Sequence, residues 1–357
     1  MDQKELYKYI GSLQQMAYIR PVTCEEGRAR GMRLYDVKNE YLQYQVMCDK
    51  CLDISGLSYK GINMSFLSKP GLQGRNQYDT NGLEALRSIM GGLFFTAGFE
   101  NICAPYENET GSYPMHGRMR TTPAEQLCAQ TVREGDDLKL RISGIMREAE
   151  LFGENMVLRR TIESVYGEKT ITLTDEIENE AFRPEPLMLL YHINLGYPFL
   201  TPQLKLYIPT MSVAPRDAAS AGHENAYDRM DPPKENEPEY VFIHDMRTDE
   251  TGKSRVLAVN EALQLGLKIE YTTKNLPYFM EWKSTAAGDY VIGLEPSNAS
   301  VYGRAHHEAR GDLHRIGPFE KETNQITFTV LDGEDEIQTQ IDLFKKVFGY
   351  SQPLFSE

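Results

Sequence analysis

The sequence predicts an all-β protein, a large antiparallel sandwich with a short N-terminal helix. Most of the chain after Gly31 alternates apolar and polar residues with a period of two, the pattern of half-buried strands. Many such runs follow one another, with few helical patterns between them. Short strands without intervening helices favour two antiparallel sheets packed face to face.

The predicted elements begin with a helix over residues 2–17, whose apolar residues fall on one face at spacings of three and four. A second short helix is predicted over residues 83–90, and loops over 71–81, 214–239 and 304–315. The predicted strands cover residues 32–37, 42–47, 54–59, 62–67, 137–146, 156–165, 169–178, 186–190, 204–208, 240–244, 254–259, 263–271, 279–283, 290–294, 321–331 and 336–344.

The length of 357 residues is within reach of one large β-sandwich domain. The loop over residues 214–239 is rich in Pro, Ala, Asn and Asp, but strand patterns resume directly after it. We therefore expect one domain over residues 21–357, with the helix of residues 1–20 packed on it.

Charge excludes several classes of partner. The formal net charge is -14, whereas nucleic acids and anionic membranes select for basic surfaces. No stretch reaches the roughly 18 apolar residues that a membrane span needs, and the first residues lack the apolar core of a signal peptide. We expect a soluble cytoplasmic protein that binds a small molecule; a homodimer is one oligomeric state left open.

Cysteine usage gives no sign of a metal or redox centre. The five cysteines are sparse and odd in number, which favours reduced thiols. Cys48 and Cys51 have C-x-x-C spacing, but no second ligand pair completes a tetrahedral site, and alternating strand positions are expected to turn the two thiols to opposite faces. His306, His307 and His314 are interpreted as part of a solvated loop.

Three chemically useful side chains stand at predicted strand ends beside Gly or Pro. His192 follows the buried strand 186–190, with Asn194 two residues later in a Gly/Pro-containing turn. His116 precedes Gly117, after a glycine-rich apolar segment at residues 91–101. Glu295 follows a strongly apolar strand and precedes Pro296, and burial is expected to raise its pKa towards neutrality. Each alone is at least as typical of a structural turn, but together they indicate one acid/base site.

The order of these motifs resembles the aldose 1-epimerases, whose fold is the galactose mutarotase-like supersandwich. The similarity is closer to a less studied, aldose-1-epimerase-like branch of that superfamily. It covers roughly residues 20–345 and rests on the segments Asp49-Lys50-Cys51-Leu52-Asp53-Ile54, residues 91–101, residues 189–198, Glu281-Trp282 and Gly293-Leu294-Glu295-Pro296.

The resemblance implies an isomerase that interconverts the anomers of a free sugar without cofactor or metal. It implies that His192 is the general acid, Glu295 the general base and His116 a hydrogen-bond partner of the sugar. The classical enzymes carry an arginine where this chain has Gly98-Phe99-Glu100-Asn101, and their turn has its Asn further from the His than Asn194 is from His192.

The remaining substrate contacts are expected from several polar and aromatic residues. Trp282, the single tryptophan, can offer an aromatic face to a sugar ring or pack in the core. If Arg118, Lys283 and Arg304 lie near the cleft, they can bind an anionic group on the sugar. Otherwise they form surface ion pairs. The predicted substrate-binding residues are Asn101, Arg118, Asn194, Trp282 and Arg304, and the classical substrate-binding aspartate corresponds to Asp228, Asp231 or Asp245.

Two other function classes remain open. A carbohydrate-binding or sensing protein can keep the same cleft without turnover. A lyase or hydrolase is also known on such sandwiches, but a hydrolase needs two carboxylates that span the scissile bond, and Glu295 is the single well-placed carboxylate in the sequence pattern.

Overall fold

The computed structural model describes residues 3–74, 82–349 and 354–355. It confirms the predicted all-β architecture. Twelve strands precede the centre of the described chain: β1 (Ala17–Thr23), β2 (Arg33–Asn39), β3 (Leu42–Met47), β4 (Ile54–Tyr59), β5 (Ile62–Asn63), β6 (Phe94–Phe99), β7 (Tyr106–Asn108), β8 (Gly111–Tyr113), β9 (Glu125–Glu134), β10 (Asp137–Ala149), β11 (Asn155–Val165) and β12 (Thr170–Asn179).

Twelve more strands follow in the described residues: β13 (Glu185–Pro186), β14 (Met188–Leu195), β15 (Leu204–Tyr207), β16 (Thr210–Pro215), β17 (Glu239–Met246), β18 (Lys253–Asn260), β19 (Leu265–Thr272), β20 (Tyr278–Ser284), β21 (Val291–Ser297), β22 (Arg315–Ile316), β23 (Lys321–Asp332) and β24 (Leu354–Phe355).

Two large sheets contain most of these strands. The first has the order β1-β2-β3-β4-β6-β14-β21-β20-β17-β16-β24, with β5 paired to β4. The second has the order β15-β18-β19-β23-β12-β11-β10-β9. Neighbouring strands are antiparallel except β16 and β24. The main apolar core combines residues of both sheets, such as Phe94 and Tyr191 from the first and Phe328 from the second, so the sheets pack face to face as predicted.

Between the sheets lies a buried ionic network. Arg160 of β11 donates to Asp175 and Asp53 and to the hydroxyl of Thr96, and Tyr191 donates to Asp175. The Arg160 and Asp175 side chains are fully buried. Because a buried charge is tolerated only when it is paired and hydrogen-bonded, this network fixes how the central strands of the two sheets sit against each other.

Three α-helices accompany the described strands: α1 (Gln3–Leu6), α2 (Gly303–Arg310) and α3 (Glu334–Phe348). The N-terminal helix is present but shorter than the predicted 2–17, because a 3-10 turn at Leu13–Gln15 and the start of β1 occupy the rest of that range. The helix predicted over residues 83–90 is a 3-10 helix, Gly82–Arg87. No helix in the described ranges is long and apolar enough to cross a membrane.

The strand predicted over residues 336–344 is wrong, because this segment is part of α3. Its buried residues Ile337, Ile341, Phe344 and Phe348 are spaced by four, three and four, which is a helical period. They pack on Leu257 and other residues of the eight-stranded sheet. The helix has acidic residues in its first turn and lysines in its last, as the helix dipole favours.

The solvated loop predicted over residues 304–315 is also wrong. Residues 303–310 form α2, which buries Arg304 and His307. The imidazole of His307 bonds Ser300 through Nε2 and Asp312 through Nδ1, so it ties the helix to the end of β21. The interpretation of Cys48 and Cys51 as strand residues is wrong as well, since both lie in the turn that follows β3.

Candidate active site

The central strands β6, β14, β21, β20 and β17 lie side by side in that order. Successive residues of a strand point to opposite faces of the sheet. The register pairs Leu190 with Ser297 and Ile193 with Leu294, which places His192 directly opposite Glu295. The turn predicted around His192 is therefore wrong: the histidine lies inside β14, and the paired neighbouring strands hold it in place.

His192 and Glu295 form the centre of the site. The Nε2 atom of His192 lies 3.0 Å from Oε1 of Glu295, and the two side chains are 8% and 6% exposed. The two atoms are within ion-pair distance but are not aligned for a hydrogen bond, and among the described residues Oε1 has no hydrogen-bond donor. The carboxylate therefore keeps the capacity to accept a proton or hydrogen bond from a ligand. Pro296 pairs with Phe279 within β21, so the strand predicted over residues 290–294 continues past Glu295.

A glycine makes room for this pair. Gly293 lies two residues before Glu295 on the same face of β21. A Cβ atom at position 293 would lie 2.6 Å from Oε1 of Glu295 and 3.0 Å from Cε1 of His192. The close approach of the imidazole and the carboxylate thus depends on the missing side chain.

Two aromatic side chains orient the imidazole. The ring of Phe95 stacks on His192 with centroids 4.4 Å apart and an interplanar angle of 20°. The indole of Trp282 meets His192 edge to face at 5.4 Å. Phe95 is opposite His192 in the β6–β14 pairing, and Trp282 is opposite Gly293 in the β20–β21 pairing. The register of the paired strands therefore places both aromatic rings next to the imidazole of His192.

His116 reaches the same place from a loop. Its ring lies edge-on to that of His192, with centroids 5.8 Å apart. The backbone N–H of Cys103 donates to Nδ1 of His116 at 3.3 Å, which assigns the proton of the neutral ring to Nε2. Burial, followed by the influence of His192 and Arg120, holds the pKa of His116 well below its usual range. His116 is therefore a neutral hydrogen-bond donor.

These residues line a cleft of about 690 Å³ on the outer face of the twelve-stranded sheet. Asn194 also lines it: its amide nitrogen donates to backbone oxygens of Gly92 and His192. Among the described residues its Oδ1 has no partner, so it can accept from a ligand. The further walls are apolar or aromatic for the most part and include Phe66, Pro70, Leu86, Ile89, Met115, Val241 and Val301.

One wall of the cleft holds polar residues that the sequence reasoning missed. Nε1 of Trp282 donates to Glu239 at 2.8 Å, and Nη2 of Arg216 contacts the other oxygen of Glu239 at 3.2 Å. Glu239 and Arg216 lie at the two borders of the loop predicted over residues 214–239. No motif marks either residue. The length of the predicted loop indicates that it can line a binding site, because long loops in compact domains are often functional. Length alone does not identify which of its residues face a ligand.

The predicted site residues divide into two groups. His116, His192, Asn194, Trp282 and Glu295 all line the cleft. Asn101 is buried close by, where its amide nitrogen donates to backbone oxygens of Ala104 and Pro114 and so braces the loop of His116.

Arg118, Arg304 and Lys283 lie elsewhere, so the expectation that they share this cleft is wrong. Lys283 points to the opposite face of β20 and donates to backbone oxygens of Ala226 and Arg229. Asp228 pairs with Arg229, and the backbone oxygens of Asp231 and Asp245 accept from Tyr290 and Thr210. Besides Glu295, the carboxylates that line the cleft are Glu239 and Asp289.

Arg118 and Arg304 line a second cleft of about 580 Å³. Arg118 forms an ion pair with Glu100, and Arg304 donates to the backbone oxygen of Glu100. Glu148 is buried in the same cleft, where burial, followed by the charge of Glu100, raises its pKa to about 8. Within the described ranges, no group of three or more His, Cys, Asp or Glu side chains is arranged to hold a metal ion.

Residues 29–330 match the family described as Domain of unknown function (DUF4432). The chain belongs to this family. No curated protein matches the sequence. Among solved structures, the fold is similar to that of a "putative aldose 1-epimerase" from Klebsiella pneumoniae subsp. pneumoniae MGH 78578. The TM-score is 0.89 at 19% identity, over 99% of this chain and 96% of that one.

Two further solved structures share the fold of this DUF4432 protein. A galactose mutarotase-like protein from Clostridium acetobutylicum has a TM-score of 0.60 at 11% identity, covering 89% of this chain and 99% of that one. The galactose 1-epimerase from Lactobacillus acidophilus NCFM has a TM-score of 0.55 at 14% identity, covering 89% of this chain and 100% of that one. The fold is therefore the galactose mutarotase-like supersandwich that the sequence resemblance predicts.

Proposed function

We propose that this protein is an aldose 1-epimerase type isomerase, which interconverts the anomers of a free sugar. The observation that carries the proposal is the pair His192 and Glu295, 3.0 Å apart at the floor of an open, largely apolar cleft. The names of the solved structures with the same fold support this reaction class.

The close spacing of the pair fits mutarotation. In a cyclic sugar the ring oxygen and the anomeric hydroxyl oxygen are both bonded to C1, so an acid and a base that act on them must lie side by side. Glu295 accepts the proton of the anomeric hydroxyl while protonated His192 donates a proton to the ring oxygen, and the bond from C1 to the ring oxygen breaks. Rotation about the bond from C1 to C2 and the reverse transfers close the other anomer. The site ends with the protons it began with.

The neighbouring residues fit binding of a sugar ring. Neutral His116 offers an N–H and Asn194 offers a carbonyl oxygen, while Trp282 presents an aromatic edge and face beside them. These groups are hydrogen-bond partners for hydroxyl groups and need no charge on the ligand.

A neutral sugar is the substrate class that the charges favour. Lys69 on the cleft rim is paired with Asp289. Arg216 on the opposite wall is paired with Asp217 and Glu239. Since the described lysine and arginine of the cleft are already paired with carboxylates, an anionic sugar would have to displace those partners.

The test is exchange NMR of the anomeric protons, run on a panel of neutral aldoses and on the matching sugar phosphates and uronates. We expect faster anomer exchange for a neutral sugar. His192→Ala and Glu295→Gln should each slow the enzymatic exchange about 10²- to 10⁴-fold, equivalent to about 3 to 5 kcal/mol in the barrier.

The chain supplies a matched control pair outside the cleft. His314 and Glu322 are also in ion-pair contact but lie at the surface beyond α2. His314→Ala and Glu322→Gln should leave the exchange rate unchanged. If sugars bind while their exchange stays at the buffer rate, the isomerase proposal is wrong and a carbohydrate-binding role replaces it.

A further inference from the structure

A small cavity lies directly behind the wall of the cleft. Its volume is about 20 Å³, enough for one water-sized guest. It shares Ile89, Gly91 and Phe95 with the cleft, so the phenyl ring that stacks on His192 separates the two spaces. Its other lining residues are Met47, Lys50, Asp53, Ser88, Met90 and Arg120.

Two buried cations line this cavity, and one of them, Arg120, lacks acceptors for part of its guanidinium among the described residues. Arg120 is 5% exposed and Lys50 is 3% exposed. Nη1 of Arg120 donates to the hydroxyl of Ser88 at 3.2 Å, but within the described part of the chain its Nε and Nη2 have no acceptor. Burial lowers the pKa of Arg120 to about 10, and burial followed by the charge of Arg120 lowers the pKa of Lys50 to about 8.

The nearest carboxylate is already engaged. Oδ1 of Asp53 accepts from the hydroxyl of Thr96 and from Arg160, and Oδ2 accepts from the backbone N–H of Thr96. Arg160 shares its remaining donors between Asp175 and Thr96. The three buried cations Lys50, Arg120 and Arg160 therefore face two carboxylates, and one positive charge is left over.

The backbone holds the two cations together. The N–H of Cys51 donates to the oxygen of Thr122 at 2.7 Å, and the N–H of Ala124 donates to the oxygen of Cys48 at 2.8 Å. These bonds clamp the turn that carries Lys50 to the segment that carries Arg120. Because an unpaired buried charge is costly, a fold that forces two cations to one cavity needs a negative partner there.

We propose that this cavity is a binding site for a single monatomic anion, chloride under ordinary conditions, held by Lys50 and Arg120. The charge count calls for one negative charge, and the small volume favours a monatomic ion over a phosphate or a sugar. The segment Asp49 to Ile54, one of the segments on which the sequence resemblance rests, would thus contribute Lys50 to an anion site outside the sugar cleft. The inference does not rest on the isomerase proposal.

Bromide is the direct probe, because its anomalous scattering identifies it in a crystal. Crystals of the full chain grown in bromide in place of chloride should show an anomalous peak between Nζ of Lys50 and the guanidinium of Arg120. Density there without an anomalous signal would mean that the guest is water, and the proposal would be overturned.

Thermal unfolding gives the solution test. An ion that binds the folded state alone raises Tm with its concentration, so chloride should raise Tm more than gluconate at equal ionic strength. Lys50→Met should abolish that difference, whereas Lys274→Met, at an exposed surface lysine, should retain it. Equal effects of chloride and gluconate on the native protein would contradict the proposal. If Lys50→Met does not fold, the bromide crystal of the native chain still decides.

Discussion

The twelve-stranded sheet carries two histidine–glutamate pairs on opposite faces. His192 and Glu295 join β14 to β21, 3.0 Å apart. His244 and Glu281 join β17 to β20, 3.1 Å apart. The first pair faces the cleft, and the second faces the interior with both side chains fully buried. The residue types and distances are nearly the same, but a ligand can reach one pair and not the other.

What covers the second pair is the loop after β16. The ring of Tyr227 packs edge-on to His244 from this loop, and Phe279 does so from β20. Lys283 holds the loop in place through the backbone oxygens of Ala226 and Arg229. Access to a ligand therefore distinguishes the two pairs: an acid/base pair becomes a candidate site when the sheet face it occupies is left open.

An added methyl group at position 293 would close the open pair His192 and Glu295 from within. Gly293→Ala places a Cβ atom 2.6 Å from Oε1 of Glu295, so the carboxylate and the imidazole must separate. We expect anomer exchange to fall about 10³- to 10⁴-fold, since both proton transfers lose their geometry. Exchange NMR measures the rate, and circular dichroism checks the fold.

Gly56→Ala is the matched control for that variant. Gly56 also lies in a strand of the same sheet, and its nearest neighbour to a new Cβ is the hydroxyl of Ser65 at 3.7 Å, an ordinary contact. It should exchange anomers at the native rate. Native activity in Gly293→Ala would show that the 3.0 Å contact is not the catalytic arrangement.

The buried pair His244 and Glu281 should contribute to stability and not to turnover. Glu281→Ala leaves His244 buried without its carboxylate partner, and removal of one member of a buried pair typically costs about 3–5 kcal/mol. We expect urea unfolding to report a loss of this size, while the exchange rate per folded molecule stays native. Glu281→Gln, which keeps the shape, serves if the alanine variant does not fold. A folded variant with lost exchange would mean that the two faces are coupled.

The sequence predicts the β architecture well because a sheet with one buried face imposes a period of two. The prediction fails at α2 and α3, because local alternation and charge do not show which surface of the protein each segment packs against. Residues 336–344 alternate well enough to resemble a strand, yet Ile337 and Ile341 are buried in a cluster with residues of β15 and β18, which are distant in sequence. Element type there is decided by tertiary packing.

The site is predictable where a residue carries its own chemistry. His116, His192 and Glu295 meet as expected, because histidine and glutamate stand out in the sequence as residues capable of acid/base chemistry. Glu239 gives no such signal, since its place on the wall follows from the pairing of β17 with β20. Arg118 and Arg304 show the reverse: their charge suggests a ligand, but Glu100 engages both.

Trp282 forms part of the wall of the open cleft. Trp282→Phe keeps an aromatic ring beside His192 but removes the 2.8 Å bond from Nε1 to Glu239. We expect KM to rise about 3- to 10-fold with kcat nearly unchanged, the effect of losing roughly 1 kcal/mol of positioning. Glu239→Gln retains an acceptor and should change KM less. A fall in kcat at constant KM would assign the indole to orientation of His192 instead.

Glu148 is a buried carboxyl group in the second cleft, whose described lining contains no histidine. The N–H of Phe99 donates to both of its carboxyl oxygens at 3.4 Å, and its pKa rises from 4.5 to about 8, chiefly through burial.

The folded protein therefore keeps the Glu148 proton between roughly pH 4.5 and 8 while the unfolded chain has released it, so the stability of the protein falls as pH rises across that window. Glu148→Gln mimics the protonated form and should lose this slope. Melting curves should show the Tm of the native protein falling relative to that variant between pH 5 and pH 8. Glu125→Gln, at an exposed position of β9, should run parallel to the native protein. Parallel curves for Glu148→Gln would show that Glu148 is ionised in the folded state at neutral pH.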